Sequence, residues 1–429
     1  MAMIAQILFI IISASAIFLF TKQLLRIRRN IFIGKNNLLS DQKAKRWKNV
    51  FLLALGQKKM FKKPIVAFLH LIVYLGFIII NIELLEIMID GILGTHRIFE
   101  TYFEKWGFPF LYNVIITIFE LLAALVIIAC VFFLTRRNLL KLKRFISKDL
   151  EGWPRTDANY ILIAEIILMS LFLLMNAADT KTHFIISSYL QPFLSGLSND
   201  TLLFIEQSAW WLHILGIYVF MNYLPYSKHL HIILAFPNSY YAPLTPKGSM
   251  HNMPEVQKEV LYAMQPELAP TNAAAPSNFG AKDVMDLNSK NLLDAYSCTE
   301  CGRCSAACPA HLTGKLLSPR KIMMATRDRL EEVGKNIEAN SQFVPDNKTL
   351  LHNYITVEEL RACTTCNACV EECPVSISPL DIILELRRSL IMEESNAPQE
   401  WNSMFSNIEN NFAPWKFAPD QRDAWTHQA

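Results

Sequence analysis

Five long apolar runs, residues 3–20, 65–88, 109–134, 160–177 and 202–224, constrain this chain more than anything else in it. Each approaches the roughly 20 apolar residues that a helix needs to cross a bilayer, where every backbone polar group must be satisfied within the helix itself. The first half of the chain is therefore expected to be a five-span helical bundle. The loops between the runs set its orientation. Residues 21–64 contain thirteen Lys or Arg and residues 135–159 contain seven, whereas the alternate loops carry only Arg97, Lys105 and Lys181. Basic loops stay on the cytoplasmic side, so the N-terminus is expected outside and everything after the fifth span in the cytoplasm of a bacterial or archaeal cell (inner) membrane. Positive charge (Lys22, Arg26, Arg28, Arg29) follows the first run rather than preceding it, which argues for a retained span over a cleaved signal peptide.

The net charge of +3 averages over two unlike halves. Basic residues border the apolar runs instead of lining one amphipathic face, so no nucleic-acid partner is expected. After residue 236 the hydrophobicity collapses into a stretch through Pro243, Pro246, Pro266, Pro270 and Pro276, read as a linker. The organisation is then a membrane domain at 1–236, a linker at 237–285, a polar domain at 286–395 and a tail at 396–429.

Eight of the nine cysteines lie in the polar domain, in a two-part repeat. Cys298, Cys301, Cys304 and Cys308 have the spacing C-x2-C-x2-C-x3-C-P, and Cys363, Cys366, Cys369 and Cys373 repeat it. Three thiolates on one tight loop can cap three irons of a cubane while the fourth reaches across to a second cluster. The crossed rule assigns Cys298, Cys301, Cys304 and Cys373 to one [4Fe-4S] cluster and Cys363, Cys366, Cys369 and Cys308 to the other. Zinc sites pair two CxxC knuckles rather than repeating such a triple, and disulfides are not kept on the reducing side of the membrane. Each motif is followed by a helix start, Ser318-Pro319 and Ser378-Pro379, with serine as N-cap and proline at the first helical position. Helices are expected over 320–333 and 380–390. Cys130, alone in the third span, reads as a packing residue.

Intramembrane histidines are costly and mark function. His70 lies in the second run and His213 in the fifth, and two imidazoles facing one another across a bundle make the axial pair of a b-type haem. His231 follows His213 by eighteen residues, about five helical turns, which on an unbroken helix puts both on one face about 27 Å apart, with His229 turned nearly the opposite way. His96 and His183 fall in outer loops and read as solvated. Glu83, Glu86, Glu120, Glu165 and Glu206 serve either proton relay to a quinone or helix packing, and composition does not separate the two.

The fifty-four residues between Cys308 and Cys363, with the stretches 298–304, 309–319 and 363–374, resemble the helical ferredoxin of heterodisulfide reductase and succinate dehydrogenase iron-sulfur subunits. In heterodisulfide reductase relatives a catalytic domain with a CCG signature follows or is a separate subunit; no CCG occurs here. The resemblance implies a cytoplasmic partner, a CCG-type Fe-S protein or a flavoprotein, that carries the catalytic site, with the tail and its Trp401, Trp415 and Trp425 either docking that partner or capping the domain. The stretch from Trp210, Trp211 and His213 through Tyr223 to His231 resembles the last span of the nitrate reductase gamma subunit and the heterodisulfide reductase membrane subunit, over residues 1–236. In that family a histidine pair ten residues apart on the second span faces the pair on the fifth. The register makes His231 the partner of His70 and puts Ile80, which cannot ligate, opposite His213. One haem b is implied, or two if His213 finds another ligand, and His70 with His213 is the alternative pairing.

The expected fold is mainly α, a five-helix transmembrane bundle followed by a helical ferredoxin domain. The expected role is the membrane subunit of a respiratory redox complex, passing electrons between the quinone pool, via haem b, and a cytoplasmic partner. A haem-free anchor for a ferredoxin shuttling electrons between soluble partners is the alternative. No acid-base or nucleophilic triad is visible, which fits a conductor more than a standalone catalyst.

Overall fold

The computed structural model describes residues 3–180, 184–246, 248–270, 278–416 and 418–427; Lys181 and His183 lie outside them. The five apolar runs become five long helices: α1 Met3–Ile31, α2 Pro64–Leu93, α3 Pro109–Asn138, α4 Trp153–Ala178 and α5 Asn199–Tyr223. All are long and apolar enough to cross a membrane. Proline in the first turn of α2, α3 and α4 presets the helical φ where no N–H partner is needed, and the Ser198 hydroxyl accepts from Thr201 N to cap α5. The helices close a ring, α1 on α2 and α5, α2 on α3, α3 on α4, α4 on α5. Exposed Phe18, Phe110, Phe204 and Val219 face outward, as lipid-solvated side chains do.

A polar knot closes the end of the bundle where α2 passes into α3 and α4 into α5. Arg97, 6% exposed, donates to Asp179 (2.9 Å), Asn176 (2.9 Å) and Tyr112 (3.3 Å). Glu86 accepts from Phe99 N at 2.8 Å and from Tyr112 at 3.1 Å, and Glu120 from Asn176 and the backbone of Ile186 and Ser187. These two carboxylates pin the outer loops to the helices, which favours the packing role for them. His96 bonds Glu206 at 2.9 Å rather than water alone.

At the opposite end the helices outrun their apolar runs, because polar residues can continue a helix once other protein covers them. The extension of α1 runs directly into the cysteine-rich half: Arg29 donates to Gly334 O (2.9 Å), Asn30 to the Tyr296 hydroxyl (2.9 Å), and Arg26 pairs with Glu338 (3.2 Å). A Cβ on Gly334 would meet the Asn30 side chain at 2.4 Å, so this contact needs glycine. One apolar core joins Ile27, Ile31 and Leu234 from the membrane half to Leu292, Leu330 and Leu386 from the other. The two halves are one packed unit.

Between them α6, His231–Tyr240, packs on α7, Ser289–Ser297. The stretch read as a linker opens inside α6: Pro237 is helical, Asn238 and Ser239 are buried, and Asn238 donates to Val375 O at 2.8 Å. An exposed helix follows at Pro254–Met264, and by Ala281 the chain is buried again. Proline-rich composition signalled irregular backbone, not distance from the core. The Ser-Pro starts open α8, Pro319–Asn340, and α9, Pro379–Met392, with Ser318 Oγ accepting from Lys321 N and Ser378 Oγ from Asp381 N. Arg329 of α8 is fully buried and fastens the long insert to Asp283 (2.7 Å) and Asp346 (2.6 Å). Removing one partner of such a buried pair costs about 3–5 kcal/mol. The tail forms α10, Gln399–Asn411, which has no buried residue and exposes Trp401, Phe405 and Ile408.

Candidate electron-transfer site

Both cysteine loops have the same backbone. Glu300 and Gly302 in the first, and Thr365 and Asn367 in the second, take positive φ at the same offsets from Cys298 and Cys363. Short helices then follow at Arg303–Ala307 and Ala368–Glu372. Two left-handed turns curl each loop so that its first three cysteines converge. At Gly302 a Cβ would strike Arg320 Nη1 at 2.6 Å, so glycine serves both the turn and the close approach.

Cys298, Cys301, Cys304 and Cys373 line one cavity with Arg303, Arg320 and Ile377 around it, and Cys369 reaches its edge. Cys363 and Cys369 are in turn neighbours of Cys308 and Cys366. The fourth cysteine of each motif thus sits with the other motif's loop. Burial pushes the Cys298 and Cys369 thiols up to about 12 and Cys373 up to about 11, so a ligand that takes them as thiolates must release their protons. All nine cysteines are free. Among the described residues no three cysteine sulfurs lie within 4.8 Å of one another. Ile377 N points at Cys373 Sγ (3.3 Å) and Thr365 N at Cys363 Sγ (3.4 Å), donors that suit negatively charged sulfur.

The first set faces the membrane half. Lys59 Nζ donates to Cys373 O at 3.0 Å, and Arg303 Nη1 to Lys59 O at 3.1 Å. Lys228 pairs with Glu300, and Arg320 forks onto Asp149 at 2.7 and 2.9 Å while also reaching Arg144 O. Burial raises the Asp149 carboxyl, but the Arg320 bonds outweigh it and hold it at about 2. In the second set Cys366 is exposed, and Arg361, two residues before Cys363, is bonded to Asn396 at the root of the tail.

His70 stands within electrostatic reach of both His231 and Arg303, which places it at the end of the bundle that carries the first cysteine set. Its Nδ1 meets Gln57 Oε1 at 3.1 Å, and His231 Nδ1 meets Lys228 O at 3.1 Å. Such Nδ1 bonds fix an imidazole and leave Nε2 for a ligand. His213 is 3% exposed, bonded through Nδ1 to Leu168 O at 2.9 Å and packed 6.1 Å from the Phe172 ring, with no histidine against it among the described residues.

Helical counting from His213 to His231 fails. α5 ends at Tyr223; 3-10 turns at Leu224–Tyr226 and Lys228–Leu230 flank an extended Ser227 before α6 begins. Asp157 holds that break by accepting from Ser227 Oγ (2.7 Å) and Lys228 N (3.1 Å). As a result His229 is not turned away: its ring lies 5.6 Å from that of His231 and 5.5 Å from Phe220, and it feels His70 as well. Burial pushes it down to about 3, a neutral imidazole at any physiological pH. The Leu224-Pro225 step was the signal for this break.

Residues 297–377 match the 4Fe-4S dicluster domain family. The chain is 26% identical to the probable iron-sulfur-binding oxidoreductase FadF of Bacillus subtilis, over 98% of this chain and 61% of the relative. It is 25% identical to the EtfAB:quinone oxidoreductase of Syntrophomonas wolfei, over 90% of this chain and 54% of that protein. The C subunit of a CoB-CoM heterodisulfide reductase of Methanosarcina acetivorans is 32% identical over 28% of this chain and 60% of the subunit. The chain therefore spans little more than half the length of the first two relatives. No solved structure matches it. Fold, site and relatives together define an iron-sulfur, oxidoreductase-like electron-transfer protein of a membrane. Five apolar helices are followed, in its C-terminal part, by the dicluster match at residues 297–377.

Proposed function

We propose that this chain conducts electrons between a quinone in the bilayer and a cytoplasmic partner protein. Cys298, Cys301, Cys304 and Cys373 hold one [4Fe-4S] cluster, Cys363, Cys366, Cys369 and Cys308 the other, and His70 and His231 are the axial ligands of a haem b. These groups, when bound, supply one-electron carriers that no side chain here can replace. The observation that supports this reading most is the order of the sites. His70 lies within electrostatic reach of His231 and of Arg303, Arg303 lies in the membrane-facing cysteine loop, and the second set opens to water at Cys366. Gln57 and Lys228 O orient the imidazoles; Arg320 and Asp149 hold the domain against the inner loops. The quinone is drawn from the name of the Syntrophomonas relative and from the five apolar helices. The CCG-type or flavin-bearing partner is drawn from the likeness to the heterodisulfide reductase subunit, with the uncovered face of α10 as its docking place.

Orientation follows from the basic inner loops. A reporter active only in the periplasm, fused after Phe236, is expected to be silent, and the same reporter fused in the loop near Lys105 to be active. The reverse pattern would put the cysteine domain on the wrong side for a cytoplasmic partner.

A further inference from the structure

Both cysteine sets receive backbone hydrogen bonds, from Glu300 onto Cys298 and from Val375 and Ile377 onto Cys373 in the first, and from Thr365 onto Cys363 and Val370 onto Cys369 in the second. Their charges differ. Arg303, 4% exposed, lines the membrane-side cavity, and its hydrogen bond goes to Lys59 O rather than to a carboxylate. Lys59 Nζ sits on Cys373 O, and the Arg144 backbone lies 3.4 Å from where a Cβ of Gly302 would be. Arg144 and Lys63 both act on the Cys301 sulfur. Most nearby acids have their own cation, Glu300 having Lys228 and Arg327, Asp149 having Arg320 and Asp294 having Lys290, while Glu371 and Glu372 share Lys62. On the other set, Arg387 donates to Cys363 O at 2.5 Å and acts on the Cys363 sulfur, while Arg361, two residues before Cys363, is exposed to solvent and bonded to Asn396. Exposure of Cys366 works in the opposite sense by easing solvation of the reduced state, but it touches one sulfur, against the buried Arg303 and the partly buried Lys59 and Arg144.

A four-thiolate cluster is an anion, and reduction adds one more negative charge, so surrounding cations favour the reduced form. We propose that the membrane-side site, formed by Cys298, Cys301, Cys304 and Cys373, has the higher reduction potential of the two, and that Arg303 is the residue that raises it most. This rests on the two-cluster reading above. One electron leaving the outer site oxidises it by one unit and reduces the membrane-side site by one, with no proton required. Electrons therefore collect next to His70, and the chain is biased toward delivering them into the bilayer.

The test is a potentiometric titration of the intact, cluster-loaded chain followed by electron paramagnetic resonance. Two one-electron waves are expected. Arg303→Gln should lower the upper wave and leave the lower one in place, whereas Arg387→Gln should lower only the lower wave. If Arg303→Gln does not fold, Arg144→Gln reads the same site. A shift of the lower wave by Arg303→Gln or Arg144→Gln, or a single unresolved wave, overturns the ranking while leaving the clusters intact. A chain that purifies without iron overturns the cluster reading itself.

Discussion

Replacing Cys373 with serine is expected to lower the iron of the anaerobically purified chain from about eight atoms to about four, since each cubane holds four. A hard hydroxyl is a poor substitute for a soft thiolate, and Cys373 has no spare cysteine to take its place except Cys369 at the cavity edge, which the other set uses. The informative part is which cluster goes. Cys373 belongs to the second sequence motif but lines the cavity of the first. Cys373→Ser should therefore remove the same resonance signal as Cys304→Ser, and Cys308→Ser the same signal as Cys366→Ser. Pairing by motif instead, Cys373→Ser with Cys366→Ser, would refute the crossed arrangement, and tetrahedral zinc in place of iron would refute the clusters.

The second large effect is on haem. His70→Ala and His231→Ala are each expected to abolish a low-spin b-type spectrum, because one missing axial imidazole leaves a five-coordinate iron in an apolar bundle. His213→Ala should matter less: its Nδ1 bond to Leu168 O and its contact with Phe172 satisfy it as a packed side chain. His229→Ala discriminates within the inner group, since that ring shares the space of His231. Loss of the spectrum in His229→Ala but not in His231→Ala would exchange the two roles. A spectrum absent from the wild-type chain would leave only the haem-free anchor, and a haem-to-protein ratio near two would mean that His213 has found another ligand.

The spans, the two cysteine loops and the Ser-Pro helix starts were legible because each rests on local chemistry: apolar length, ligand spacing, and a cap with a preset φ. The crossed cysteine grouping was legible too, since three ligands on one loop leave a fourth to find. What the sequence hid was non-local. Nothing in residues 22–31 announces that α1 continues to Ile31 and docks on Tyr296 and Gly334, because that helix is completed by contacts more than 250 residues away. Likewise Asn238 and Ser239 look like linker residues until Val375 and Lys290 are brought to them. His229 was misplaced by carrying one helical period through Pro225. Arg303 and Arg320 passed as ordinary charges within and after a cysteine motif; their acceptors, Lys59 O and Asp149, lie in the inner loops of the membrane half.

The claim at the centre of this account is that the bilayer and the cysteine domain are joined electrically through the inner histidines. The most direct test uses the full chain in lipid nanodiscs, reduced anaerobically with dithionite, freed of excess reductant and mixed with a menaquinone or ubiquinone analogue while cluster resonance and haem absorbance are followed. Quinone is expected to reoxidise both signals in the wild type, and His70→Ala, with its clusters intact, to be reoxidised far more slowly. Clusters that stay reduced in the presence of quinone, or that reoxidise equally fast without His70, would contradict it.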